Sequence, residues 1–220
     1  MSDEKRSEIE QINSKIRSKK TSHISGRELS KIARENRKIT DKIEKERNKR
    51  NVPESVFLTR MKDPNNVVEF DNLHTYFFTD IGTVKAVDGV SFEVPKGSTV
   101  GVVGESGCGK SVTALSLMQL VQRPQGQIIE GAIRFNTGEK VYDIAKTPSS
   151  EMESIRGSKA SMIFQEPMTS LNPVFTIGDQ IDEVIELHNP EMTKEEVKDL
   201  TLEMIDLVGI ANSPRIYDAY

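Results

Sequence analysis

Gly104-Glu105-Ser106-Gly107-Cys108-Gly109-Lys110-Ser111 is the stretch on which the reading of this chain turns. It has the form G-x-x-x-x-G-K-[S/T], a phosphate-binding pattern when it follows a strand and opens a helix. Both neighbours fit. Ser98-Thr-Val-Gly-Val-Val103 is a short apolar run bounded by glycines, and from Ser111 to Gln122 the apolar residues Ala114, Leu115, Leu117, Met118 and Val121 recur at helical spacing. Strand, glycine loop and amphipathic helix in that order is how a buried parallel strand enters a βα unit. A chance match to the eight-residue pattern is expected in about one sequence in a hundred of this length.

The pattern has a physical reason. Polyphosphate carries several negative charges, and residues 51–220 hold 14 Lys and Arg against 25 Asp and Glu, a net of −11 that opposes it. A local array must therefore overcome the general field. Glycines at 104, 107 and 109 let main-chain N–H groups of Glu105, Ser106, Cys108 and their neighbours converge on phosphate without side-chain obstruction. The helix beginning near Ser111 adds the positive end of its dipole. Lys110 supplies a point charge toward the β and γ phosphates, and the Ser111 hydroxyl is a candidate Mg²⁺ ligand. Cys108 contributes its backbone; as the single cysteine of the chain it excludes an intrachain disulfide. A redox role for its thiol is the alternative, because a helix N-terminus lowers thiol pKa.

Working outward, Val68 and Phe70 alternate with Glu69 and Asp71 as in a strand that Thr75–Phe78 continues, and Val84 to Val94 alternates likewise. Pro95-Lys-Gly97 is a turn, Ala160 to Phe164 a second short strand, and helices are expected at 177–187 and 194–208. Apolar runs are too short for a membrane helix, and the start MSDEKRSEIEQ has no apolar core of a secretory signal. Residues 1–50 differ in charge, with 16 basic against 9 acidic residues, a net of +7. Ile9, Ile12 and Ile16, then Leu29, Ile32, Asn36, Ile39 and Ile43, follow 3,4 spacing around a turn-like stretch at 21–26. Two charged helices are expected, paired with a partner or partly disordered when isolated, with Asn36 facing a core. The bland reading is a solvated helix; an anionic membrane surface is the alternative, and nucleic acid is disfavoured because the arm holds no aromatic residue for base stacking.

The segment Ala86-Val-Asp-Gly-Val-Ser-Phe92, the phosphate loop, and Ile163-Phe-Gln-Glu-Pro-Met-Thr-Ser-Leu-Asn-Pro173 together resemble the ATPase subunit of an ABC transporter. Gly104 to Val112 and Gln165 to Pro173 resemble specifically the oligopeptide/dipeptide importer branch, over about residues 66 to 220. The fold implied is α/β: a phosphate-loop NTPase of ABC type, with an N-terminal antiparallel part, a parallel-sheet core and the start of a helical subdomain. It would occupy 63–220, behind a charged arm at 1–62. The resemblance implies ATP and Mg²⁺ as ligands, with Gln165 on the Mg²⁺ and γ-phosphate side and an aromatic, Phe77 or else Tyr76 or Phe78, stacked on adenine. Val112 stands where a second hydroxyl is frequent, leaving its backbone N–H for the α-phosphate.

The same resemblance implies partners. Membrane permease subunits would dock near Glu166–Pro173 and the following helix, a second ATPase would close head to tail, and an extracytoplasmic solute-binding protein would act indirectly. The place implied is the cytoplasmic face of the cell membrane, and the function is to power peptide import. The family's signature loop, Walker B carboxylates and switch histidine are expected beyond Tyr220; His74 and His188 come too early to be that histidine. Hydrolysis by this stretch alone is not expected, and the alternative is a non-hydrolysing ATP-binding fragment acting by assembly. The strand beside 98–103 would also be missing, leaving Val100, Val102 and Val103 as an unpaired apolar edge.

Overall fold

β1 (Asn66–Thr79) and β2 (Gly82–Pro95) form a long antiparallel hairpin closed at the Thr79↔Gly82 pair. β3 (Gly126–Asn136) pairs with the other side of β1, and β4 (Val141–Asp143) with β3, all antiparallel, in the order β2-β1-β3-β4. The computed structural model describes residues 25–49, 51–165 and 171–220. They divide into two compact units, one through Arg156 and one from Gly157 to Tyr220.

In the first unit, β1 and β3 bury Phe70, Leu73, Tyr76, Ile133 and Phe135, with register shifts in β1 between Phe70 and Leu73 and between Thr75 and Tyr76, and Phe70 stacks on Phe92 of β2 at 4.4 Å between ring centroids. Short helices α2 (Glu54–Phe57) and α4 (Ser149–Ile155) add Phe57, Met152 and Ile155 to this core. Glu69 is a buried carboxylate of this unit, its side chain 2% exposed. Backbone N–H groups of Lys62 and Asp63 donate to it at 2.9 and 2.8 Å, Asn66 Nδ2 at 3.1 Å, and Arg134 stands 3.8 Å away. Burial alone would raise this carboxyl; the donors and the guanidinium outweigh it and hold the pKa below the ordinary value.

The arm's helix α1 (Gly26–Arg47) begins at Ser25 with a capping box to Glu28. Asn36 is buried, and it faces this chain's own hairpin: its Nδ2 donates to the Thr79 and Gly82 carbonyls at 2.6 and 3.3 Å. The partner that the heptad spacing asked for is therefore the β1–β2 turn. The expected helix around Ile9–Ile16 lies outside the described residues.

Three further expectations are corrected. The helix after the glycine loop, α3, spans Lys110–Leu117 and stops short of Gln122. Gln119 takes a left-handed backbone (φ 50°) because its side-chain amide is pulled to the Thr147 carbonyl at 2.8 Å and to that of Ile144. The segments 98–103 and 161–164 are not strands. A strand exists by its ladder bonds, and among the described residues neither has a sheet neighbour; Val102 and Val103 are 51% and 92% exposed, Ile163 93%. The described sheet is thus the antiparallel part alone.

The second unit is helical: α5 (Ile177–His188), α6 (Lys194–Leu207) and α7 (Ser213–Tyr217). Capping boxes Thr176/Asp179 and Thr193/Glu196 start the first two. Asp182 of α5 accepts from Thr201 and Tyr217 hydroxyls, both at 2.5 Å, joining all three helices.

Replacing Asn36 by Leu removes its amide donor from the Thr79 carbonyl, while Gly82 O keeps the Thr79 hydroxyl, and should cost about 1–3 kcal/mol, with α1 cleaved earlier in limited proteolysis; unchanged denaturant midpoint and cleavage would refute the docking. Glu69 has a depressed folded pKa, so its contribution is complete above the unfolded value and is lost as pH falls through the folded one. Between about pH 7 and about pH 3, Glu69→Gln should flatten the pH dependence of urea unfolding; parallel curves would refute this.

Candidate functional site

The glycine loop sits between β2 and α3, and its rear is fixed by contact with the sheet. Gly109 is the N-cap of α3 with φ 95°, and a β-carbon there would lie 2.3 Å from the Ala86 carbonyl oxygen of β2. Only glycine meets both conditions. Gly107, at φ 82°, also needs a left-handed backbone but has open space around it. α3 is seated on β1 by a buried hydroxyl pair, Thr75 Oγ1 to Ser116 Oγ at 2.9 Å.

Lys110 folds back over the loop. Its Nζ donates to the carbonyls of Gly104 and Glu105, each at 2.8 Å, and lies 3.7 Å from Cys108 Sγ. The ammonium thereby screens two carbonyl dipoles that would repel an anion. Cys108 N–H donates to Glu105 O at 3.3 Å, turning the chain at Ser106-Gly107. Gly104, Glu105, Ser106, Gly107 and Cys108 are exposed, as is Ser111, which with Val112 lies in the first turn of α3, where helical N–H groups have no intrahelical acceptor. The eight loop residues and Val112 therefore form one continuous surface in the first unit.

The other site candidates fall elsewhere. Phe77 pairs with Val84 and Gly126 at the far end of β1 and is half-buried, whereas Tyr76 and Phe78 are 4% exposed. Of the three aromatics, Phe77 is the most exposed. The Tyr76 hydroxyl is already engaged by Asp88, which also meets His74 Nδ1 at 2.8 Å. Gln165 is exposed, in the second unit, and residues 166–170 of the anticipated docking region lie outside the described ones. Sequence reasoning missed the roles of Thr75, Ser116 and the Ala86 carbonyl. Buried hydroxyls at 75 and 116 have no spacing signal, since the pair is made across elements.

The ABC transporter family model matches residues 87–216, more than half of the chain. The chain belongs to the ABC transporter family. Among its relatives, the oligopeptide transport ATP-binding protein AppD of Bacillus subtilis (strain 168) is 45% identical over 154 residues, 70% of this chain and 45% of AppD. The dipeptide transport ATP-binding protein DppD of the same organism is 46% identical over 144 residues, 66% of this chain and 42% of DppD. This ABC family chain thus spans under half the length of both relatives. In fold, it is similar to a dimeric bacterial ABC transporter cassette, with TM-score 0.57 at 19% identity, over 69% of this chain and 60% of that one.

The two loop glycines separate sterics from backbone strain. Gly107→Ala should incur the left-handed penalty, about 1–2 kcal/mol, while Gly109→Ala adds a clash with Ala86 and should lose more stability and more nucleotide affinity. Equal losses in thermal melts and in ATP titrations would refute the contact.

Proposed function

We propose that this chain is the ATP-binding part of a subunit that powers peptide import through an ABC transporter. The observation that carries the proposal is the exposed loop Gly104–Ser111, with Lys110 across its mouth, in a family member whose relatives are named as oligopeptide and dipeptide transport ATP-binding proteins. Main-chain N–H groups from Glu105 to Val112 receive the polyphosphate, Lys110 exchanges its loop carbonyls for β and γ phosphate oxygens, and Phe77 covers the adenine.

The donor set at the loop fits Mg²⁺. Ser111 offers one exposed hydroxyl oxygen beside the phosphate position, and a cation that keeps several waters and phosphate oxygens needs few protein ligands. Ser111 would hold it, and the ion would neutralise charge on the phosphates. The chain's own residues do the rest: the loop orients the phosphates and Lys110 balances their charge.

In the proposed assembly, a permease subunit meets Glu166–Pro173 and α5, a second ATPase closes head to tail, and a solute-binding protein delivers peptide outside. Family resemblance supports a place for the subunit at the cytoplasmic face of the membrane; no helix among the described residues is long and apolar enough to cross one.

Mg²⁺-ATP at a hundred times its dissociation constant should stabilise the chain by about 2.7 kcal/mol. Lys110→Ala should abolish most of that gain in a thermal-shift titration while leaving the nucleotide-free melting temperature nearly unchanged. An equal gain in both proteins would sink the proposal.

A further inference from the structure

Helix α1 carries most of its cations in one line. At 3.6 residues per turn, Arg27, Lys31, Arg34, Lys38, Lys42 and Lys45, spaced 4, 3, 4, 4 and 3, fall within about a quarter of the circumference. All six are exposed. At 1.5 Å per residue the stripe is about 27 Å long. No acidic or apolar residue of α1 interrupts it. Glu28, Glu35, Asp41 and Glu46 lie to its sides, where Glu35 reaches Lys31 only at 4.0 Å. Glu44 is turned inward, accepting from Gln127 Nε2 at 2.6 Å.

The direction of the stripe is fixed from the buried side. Asn36 and Thr40 fall on the opposite side of the helix and are buried, and Asn36 holds the Thr79 and Gly82 carbonyls at 2.6 and 3.3 Å. Glu44 adds a second anchor about two turns later, through Gln127 and through Arg123 at 3.6 Å. Two anchors keep the helix from rolling, so the cations face away from the β1–β2 hairpin. Charge in the chain is therefore polarised. A net of −11 over 51–220 stands behind a helix whose outer line is wholly positive. Before a negative surface the body is repelled and α1 attracted, which leaves one favourable direction of approach.

We propose that this face of α1 binds an anionic phospholipid surface, with the line of cations laid along it. The contact rests on the reading above that the chain serves a transporter as a peripheral subunit, and it lies outside the family match at 87–216. A flat layer of phosphate headgroups meets all six cations at once. Clusters of about four to eight Lys and Arg are what such a layer attracts, each cation near the surface contributing a factor of about five to binding. With no apolar side chain on the stripe, the helix adsorbs by charge and does not insert as an amphipathic anchor would. Nucleic acid is the less suited anion, because α1 has no aromatic residue to stack on bases.

The test sediments the full chain with mixed phosphatidylglycerol–phosphatidylcholine vesicles and with pure phosphatidylcholine vesicles. Binding is expected to the mixed vesicles alone, with release as salt is raised, since charges are screened beyond about 10 Å in 0.1 M salt. Arg34→Gln, Lys38→Gln and Lys42→Gln together should weaken it by about a hundredfold. Removing the same charge at exposed Arg60, Lys96 and Lys194, each to Gln, should change it far less. The substituted positions are exposed and Gln is a good helix former, so melting temperatures should match the parent; if the stripe triple melts early, Lys31→Gln with Lys45→Gln replaces it. A thermal-shift titration with ATP separates this contact from the reading it rests on. A Lys110-dependent response to ATP without vesicle binding sinks the contact and spares the reading; stripe-dependent vesicle binding without that response does the reverse. Equal binding by parent and stripe variant, equal loss in both triples, or stripe-dependent retention of a DNA duplex without vesicle binding overturns the proposal.

Discussion

The glycine loop depends on a contact with no side chain on one side of it: the Cα of Gly109 rests against the Ala86 carbonyl so closely that a β-carbon would sit 2.3 Å from the oxygen. That contact sets where α3 begins. β1 holds both ends of the arrangement, pairing with β2 at Thr75↔Val87 and bonding to Ser116 of α3 through the same Thr75 side chain. Loop, strand and helix are thus located by one residue of β1 and one glycine, while the loop's outer surface stays exposed for an anion.

Charge is organised in the same local way. The net of −11 over 51–220 is misleading as a description of the field at the loop, because many carboxylates in the first unit are matched where they stand. Asp71 is paired with Lys62 and Arg134 at 2.9 and 3.0 Å, and Asp88 with His74, Tyr76 and Lys85. Asp88 titrates low although burial works against it, since the Tyr76 and His74 bonds and the Lys85 charge prevail. Such pairs add little stability when exposed, but they leave Lys110 and the helix terminus without a concentrated opposing charge.

Elements whose cause is local were legible. α5 and α6 carry apolar residues at helical spacing, and each starts at a threonine followed three residues later by Asp179 or Glu196. β1 and β2 alternate over short stretches, Val68 to Asp71 and Val90 to Val94. β3 was not read, although Ile133 and Phe135 alternate with Arg134, because Gly131 at φ 91° interrupts the period where the ladder to β1 shifts register. β4 and α4 are too short to show a period. Asn36 was read as facing a core, yet its acceptors are backbone carbonyls of a turn more than 40 residues away in sequence, which no heptad pattern can name.

The amino-acid order alone determined the phosphate loop, because glycine, lysine and serine act there through their own backbone freedom, charge and hydroxyl at fixed offsets. It also determined the helix starts and the hairpin, whose capping and alternation are settled within a few neighbours. Tertiary structure decided the rest: that α3 ends at Leu117, that 98–103 runs without a ladder, and that Phe77 is more exposed than Tyr76 and Phe78. Each of these outcomes depends on which groups are brought together across long sequence separations, and burial and pairing energies have no counterpart in the spacing of a linear chain.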